Sequence, residues 1–408
     1  MPKVELDGLL EAAEAALPEL LPLRRELHRN PEIGLELPDT QARIAAALRD
    51  LGLEPRLGKA LSSVVAVIEP GAEGGGARAA TTILRADMDA LPLQEETGLD
   101  FASERAGAMH ACGHDLHMTM LLLGARLLVE RRISLPGPVI LMFQPGEEGF
   151  AGAKLMLDEG LLDGLDPAAT RALALHIWSS LPSGEIHLRA GTQMASADSY
   201  RIRLRGRGGH ASKPQLAIDP IPAAAEIVTA LQVALSREVD IFDPAVVTIT
   251  QIHAGTTHNI IPETALLEGT LRTLSNERRD STLELIQRVA GSIAAEHRLA
   301  FEFELDIAYP ATINDPGGVK RVANLASELV GPERVVEMSA PFMSGEDWSY
   351  VIQHAPGAMV FLGARPAAAN LASVPDDHVP DNHSNRVIFD EPAMAAGAAL
   401  YAAFALAP

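Results

Sequence analysis

ATTILRADMDALP, residues 80 to 92, decides the reading of the fold, because a β-rich apolar run ends abruptly in two aspartates and a proline. The same plan recurs twice. VILMF passes into QPGEEG at residues 139 to 149, and RALALHI, residues 171 to 177, closes on His176. Short apolar runs without strict alternation read as strands covered on both faces, and helical stretches such as Leu116 to Glu130 lie between them. That succession predicts an α/β domain with a central sheet flanked by helices. In open sheets of this kind ligands bind outside the carboxyl ends of the strands, so Asp87, Asp89, Glu147, Glu148 and His176 are expected along one edge.

Outward from these strands, an Ala/Leu/Glu-rich helix opens the chain, SSVVAVIE adds a strand, and GAEGGGARAA, residues 71 to 80, reads as a loop or hairpin between strands. From about Ser196 the texture changes. DSYRIRLRG, AVVTITQIHA and TALLEGTLRT alternate apolar with polar residues, and helical runs at Pro220 to Arg237 and Glu277 to His297 accompany them, the signature of one antiparallel sheet with two helices. RVVEM, GAMVFLG and an Ala-rich helix after Asp390 return to the first texture. The expected organisation is therefore a catalytic domain formed by 1–192 and 307–408, interrupted by an inserted α+β domain at 193–306.

Composition narrows the function. The 54 acidic residues against 33 basic ones give a formal charge of -21 over 408 residues, which repels nucleic acid and anionic lipid. Neither is an expected partner. No basic region followed by an apolar run opens the sequence, and the most apolar helix candidate is broken by Arg126, so no membrane anchor is expected. A single cysteine forms no internal disulfide, and a thiol that must stay reduced fits the cytoplasm.

The chemistry concentrates in MHACGHDLH, residues 109 to 117, which holds the only cysteine, three histidines and an aspartate in nine residues. Cys112 and His114, two apart, can turn toward one cation as thiolate and imidazole; the structural alternative is a reduced structural cysteine among solvated histidines. Glu147 and Glu148 on an extended backbone would point to opposite sides, one toward a metal and one toward a water. Standing alone, the pair would also suit a surface turn. GRGGHA at 206 to 211 fits a dinucleotide-binding spacing, but SKPQLAIDP follows it with two prolines instead of a helix. There is no GxSxG, HExxH or phosphate-loop lysine motif, so serine hydrolase, zincin and nucleotide readings lack support.

Taken in order, RRELHRNPEIGLE, RADMDALP, MHACGHDLHMTMLLLG, FQPGEEGFAGAKLM, ALHIW, GRGGHASKP, GTTHNIIPE, GTLRT and SGEDWSY span the chain almost end to end. In these motifs the sequence resembles the peptidase M20 family, and within it the amidohydrolase branch of hippurate hydrolases, N-acyl-amino-acid amidohydrolases and plant auxin-conjugate hydrolases. The resemblance implies a zinc-peptidase-like mixed sheet and an inserted lid or dimerisation domain. It implies two divalent metal ions per subunit held by Cys112, His114, Glu148, His176 and His383, with the Cys112 sulfur bridging and Glu147 as the base. Asp87, Asp89, Asp115 and His117 would order the site from behind the ligands, and Glu346 and Asp347 would line it. His383 stands in DNHSNRVIFDE where family members usually carry HNPRFD, and His378 is the alternative ligand. His210 and Asn259 would hydrogen-bond the substrate, His210 as oxyanion donor, and Arg272 would clamp a substrate carboxylate unless it is a structural salt bridge. The implied reaction is hydrolysis of the amide of an N-acyl amino acid, with zinc, manganese, cobalt or nickel as candidate metals and a homodimer or homotetramer as the assembly. In some relatives the histidine matching His210 reaches a neighbouring subunit. A dipeptidase, a deacetylase of an N-acetyl diamino acid, and a non-catalytic metal-binding scaffold remain as alternatives.

Overall fold

The apolar runs assemble into an eight-stranded sheet in the order Arg56–Leu57, Val64–Ile68, Val139–Gln144, Thr81–Asp87, Thr170–Trp178, Gly357–Gly363, Ile186–Leu188, Val335–Glu337. They belong to a computed structural model that describes residues 6, 8–71, 80–367 and 379–407, which fall into two compact units. The first holds the described residues up to Gln193, Ile313–Ala340 and those from Tyr350 onward; the second holds Met194–Thr312 and Pro341–Ser349. Most of the Gly-rich stretch at 71 to 80, and His378, lie outside the described residues.

In the first unit the four central strands run parallel, whereas Val64–Ile68 pairs antiparallel with both its neighbours and Ile186–Leu188 antiparallel with Gly357–Gly363 but parallel with Val335–Glu337, so the sheet is mixed. Parallel pairing brings the carboxyl ends of Thr81–Asp87, Val139–Gln144 and Thr170–Trp178 to one edge. Helix His114–Glu130 packs with Leu9–Arg29 and Met394–Leu406. The last of these, MAAGAALYAAFAL, is buried on every face, which its run of small residues permits. A Cβ on Gly397 would lie 2.4 Å from Met120 Sδ, so glycine is what lets the two helices approach. Tyr401 locks this helix to the sheet, its hydroxyl donating to Arg85 O at 2.6 Å and accepting from Leu175 N at 3.0 Å.

The second unit is built from alternating strands. Ala245–Ala254, Thr264–Thr273, Ala197–Arg205 and Ala300–Tyr309 form an antiparallel sheet in that order. Tyr200, Ile202, Leu204, Leu267 and Leu271 face inward onto Ile227, Leu231 and Ile286 of helices Pro220–Glu238 and Asn276–Glu296. Both helices begin with a side-chain cap, from Asp219 with proline behind it and from Ser275, which leaves fewer orphan N–H groups at each start. Among the described residues no helix is long and apolar enough to cross a membrane.

Candidate functional site

Gly113 sets the local geometry. It has φ 87°, and a Cβ there would stand 2.5 Å from Ile177 Cγ2, so only glycine makes this turn into helix His114–Glu130. The turn leaves Cys112 and His114 on either side of it. Cys112 Sγ lies 3.4 Å from His176 Nε2. His176 Nδ1 donates to Ile177 O at 2.9 Å, which leaves Nε2 as the lone-pair nitrogen facing the sulfur. Trp178 stacks on this imidazole with ring centroids 5.0 Å apart. His114 is tuned in the same way: Nδ1 donates to Asp89 O at 2.8 Å, while the buried Nε2 makes no hydrogen bond and lies 3.6 Å from Asp87 Oδ2. Behind them, His117 Nε2 accepts the Ile177 N–H at 2.8 Å, so its Nδ1 carries the proton shared with Asp87 Oδ1 at 2.5 Å.

Glu147 and Glu148 are not on extended backbone. Gly146 and Gly149, at φ 71° and 91°, fold the segment into a turn, and Gly149 N donates to Glu147 O at 2.7 Å. Neither side chain is thrown to the far side of the sheet. Carboxylate oxygens of both glutamates and a ring nitrogen of His114 lie within 4.8 Å of one another. Glu148 Oε1 is 3.2 Å from His383 Nε2. His383 has φ 69°, a strained value for a non-glycine residue, and its N–H is tied to Ala111 O at 2.9 Å.

The structure thus brings Cys112, His114, Glu148, His176 and His383 together in the first unit. Donor atoms of Cys112, His114 and His176 lie within 4.8 Å of one another, as do those of Cys112, Glu148 and His383, so the single thiol belongs to both groups. One thiol, three imidazoles and a carboxylate make a borderline donor set that suits first-row divalent ions, and a buried, unbonded His114 Nε2 is what such an ion would engage. The electrostatics agree. Burial opposes charging of His114, but Asp87, Asp89 and Glu148 overcome it and raise its pKa to about 10. The Cys112 thiol is pushed far up by burial and by the Glu148, Glu147 and Asp87 carboxylates. The cavity therefore favours added positive charge.

His210 and Asn259 sit side by side in the second unit, where the short strands Gly209–His210 and Ile260–Ile261 pair and Ala211 N donates to Asn259 O at 3.1 Å. Both are exposed, and Ser212 N donates to His210 Nδ1 at 3.1 Å, leaving Nε2 to carry the ring proton outward. Arg272 lies half-buried in Thr264–Thr273. Its neighbour Asp198 is engaged instead by Arg279, with contacts of 2.9 and 2.8 Å, so the guanidinium of Arg272 has no hydrogen bond or ion pair among the described residues.

Sequence reasoning missed Asn382, whose carboxamide touches Cys112, Ile177 and Ser179. Its bonds run to residues remote in the chain, and no local pattern announces it.

With the fold and these clusters defined, the chain can be placed among known proteins. It belongs to Peptidase family M20/M25/M40, which it matches over residues 83–407. It is 37% identical over 390 residues to thermostable carboxypeptidase 2 of Saccharolobus solfataricus, covering 95% of this chain and 94% of that one. It is 35% identical over 402 residues to hippurate hydrolase of Campylobacter jejuni, covering 96% and 98%. The crystal structure of the YXEP protein of Bacillus subtilis, described as a dinuclear metal binding peptidase of the M20 family, superposes with a TM-score of 0.80 at 32% identity, over 96% of this chain and 98% of that one.

Proposed function

We propose that the protein is a metal-dependent amidohydrolase that cleaves the amide of an N-acyl amino acid to a carboxylic acid and a free amino acid. The observation that carries this reading is the convergence of Cys112, His114, His176, Glu148 and His383 beside the buried carboxylate of Glu147. These five residues would hold two divalent cations. When bound, the cations supply Lewis acidity toward a water and toward the amide carbonyl. Glu147 takes the proton from the attacking water and delivers it to the leaving nitrogen. His210 donates a hydrogen bond to the carbonyl oxygen as charge develops on it, and Asn259 beside it orients the same group. Arg272 binds the carboxylate that every N-acyl amino acid carries, for which a planar guanidinium with no hydrogen bond or ion pair among the described residues is suited.

Zinc, manganese, cobalt and nickel all suit the donor set. A thiol that must remain reduced fits the cytoplasm. The second unit serves as lid and dimerisation domain of a homodimer, since Phe242 and Ile241 at its surface are 90% and 81% exposed and invite an apolar partner.

The test is amino-acid release from a panel of hippurate, N-acetyl amino acids and plain dipeptides, using apo-protein reloaded with each metal, alongside Glu147→Gln. Metal-dependent release that Glu147→Gln lowers by about 10²- to 10⁴-fold is expected. Full turnover in Glu147→Gln refutes the mechanism, and preference for dipeptides moves the assignment to a peptidase.

A further inference from the structure

We propose that Asn382 is the positioning residue of the metal centre: its carboxamide holds Cys112 and His176 facing one another and seats His383 beside them. This rests on the reading of those three residues as ligands. The carboxamide is anchored at one end, where Oδ1 accepts Ser179 N–H at 3.1 Å and lies 3.3 Å from Ser179 Oγ, whose one proton is shared with Pro380 O at 2.9 Å. Ser179 is fully buried in the turn just after strand Thr170–Trp178, so the anchor is rigid, and its backbone donor fixes which end of the side chain is the NH₂.

The NH₂ end then points at the site. It donates to Ile177 O at 2.9 Å and to Cys112 O at 3.2 Å, and it lies 4.0 Å from Cys112 Sγ. Ile177 O also accepts from His176 Nδ1, so two donors share that one oxygen. The Asn382 bond thereby restrains the carbonyl that sets the His176 tautomer and directs Nε2 at the sulfur. The contact with the Cys112 carbonyl fixes the turn from which the thiol projects, and the approach to Sγ places an N–H where a thiolate has electron density to share. The next residue in the chain is His383 itself, in its left-handed conformation. One neutral side chain thus ties together the segments bearing Cys112, His176 and His383, from residues 205 and 270 positions away.

A side chain that merely staples loops would stabilise the fold without altering how the sulfur meets a metal. The distinguishing experiment loads the full-length protein with cobalt(II) and records the thiolate-to-cobalt charge-transfer absorption together with cobalt affinity against a competing chelator. The variants are Asn382→Leu, similar in size and without donors, and Ser179→Ala, which removes only the anchoring hydroxyl. Asn382→Leu should bind cobalt about 10- to 100-fold more weakly, with a displaced or weakened charge-transfer band. Ser179→Ala should shift both in the same direction by less. A wild-type band that Asn382→Leu leaves unchanged, with unchanged affinity, overturns the proposal. Should Asn382→Leu fail to fold, unchanged band and affinity in Ser179→Ala overturn it instead. Absence of the band in the wild-type protein refutes Cys112 as a ligand and so strikes the metal assignment itself.

Discussion

Asp89 grips the backbone of both glutamates at once, its Oδ1 accepting the Glu147 N–H at 2.9 Å and its Oδ2 the Glu148 N–H at 3.0 Å. Its own carbonyl receives His114 Nδ1 at 2.8 Å. One residue just beyond strand Thr81–Asp87 therefore fixes the turn of the proposed base and the tautomer of a proposed ligand. Asp89→Asn replaces one acceptor by a donor that faces a backbone N–H, so the turn must shift. A displacement of about 1 Å costs on the order of 10²-fold in turnover, and kcat should fall by that much while KM changes less. Steady-state kinetics on the best N-acyl substrate checks this; wild-type kcat in the variant would show that the clamp is dispensable.

Metal binding should compete with protons. The Cys112 thiol is raised by burial and nearby carboxylates, and His114 is raised to about 10, so both must lose a proton for the site to load. Affinity should therefore fall as pH falls, with proton release on binding near neutral pH. Calorimetric titration in buffers of different ionisation enthalpy measures the released protons directly. Binding without proton release would mean that neither group is a ligand.

Behind the site, Asp115 is fully buried against Arg24 at 3.1 Å and His28 at 2.8 Å. Burial opposes its ionisation, but Arg24 and His28 overcome that and hold the carboxyl below the usual carboxylate range. A depressed folded-state pKa contributes stability above the unfolded value of about 3.9 and loses it as pH falls toward the folded value. Asp115→Asn should cost about 3 kcal/mol at neutral pH, because it leaves buried positive charge without its counterion. The deficit should shrink on acidification, since only the wild type has that proton to take up. Urea unfolding at neutral and acidic pH gives both numbers, and a deficit independent of pH would assign it to packing.

Arg272 separates substrate recognition from chemistry. Arg272→Ala should raise KM for an N-acyl amino acid by about 10- to 100-fold, the loss of one or two charge-assisted hydrogen bonds. An N-acyl amine without a carboxylate should react equally with both proteins. Equal effects on the two substrates would make Arg272 structural.

Most of the architecture was legible because it is encoded locally. Ala245–Ala254, Thr264–Thr273 and Gly357–Gly363 coincide with runs read from alternation or continuous apolarity, and polar clusters closing the apolar strands marked the functional edge. The short strands Arg56–Leu57 and Ile186–Leu188 carry too few residues for a period to show. The glutamate pair was misread as extended because the turn depends on two glycines at positive φ and on Asp89, which lies 58 and 59 residues earlier. Asn382 left no trace for the same reason, since its partners are distant in sequence and become neighbours only on folding.

The 270-residue separation between Asn382 and Cys112 bears on how the protein is made. A ribosome delivers the cysteine turn long before the segment carrying Asn382 and His383, and the whole second unit is synthesised in between. During that interval the chain's one thiol waits without its final neighbours, open to oxidants and stray ions. If His383 is a ligand as proposed, the centre is complete only once the segment carrying it has emerged, which puts the last step of its assembly late in biogenesis.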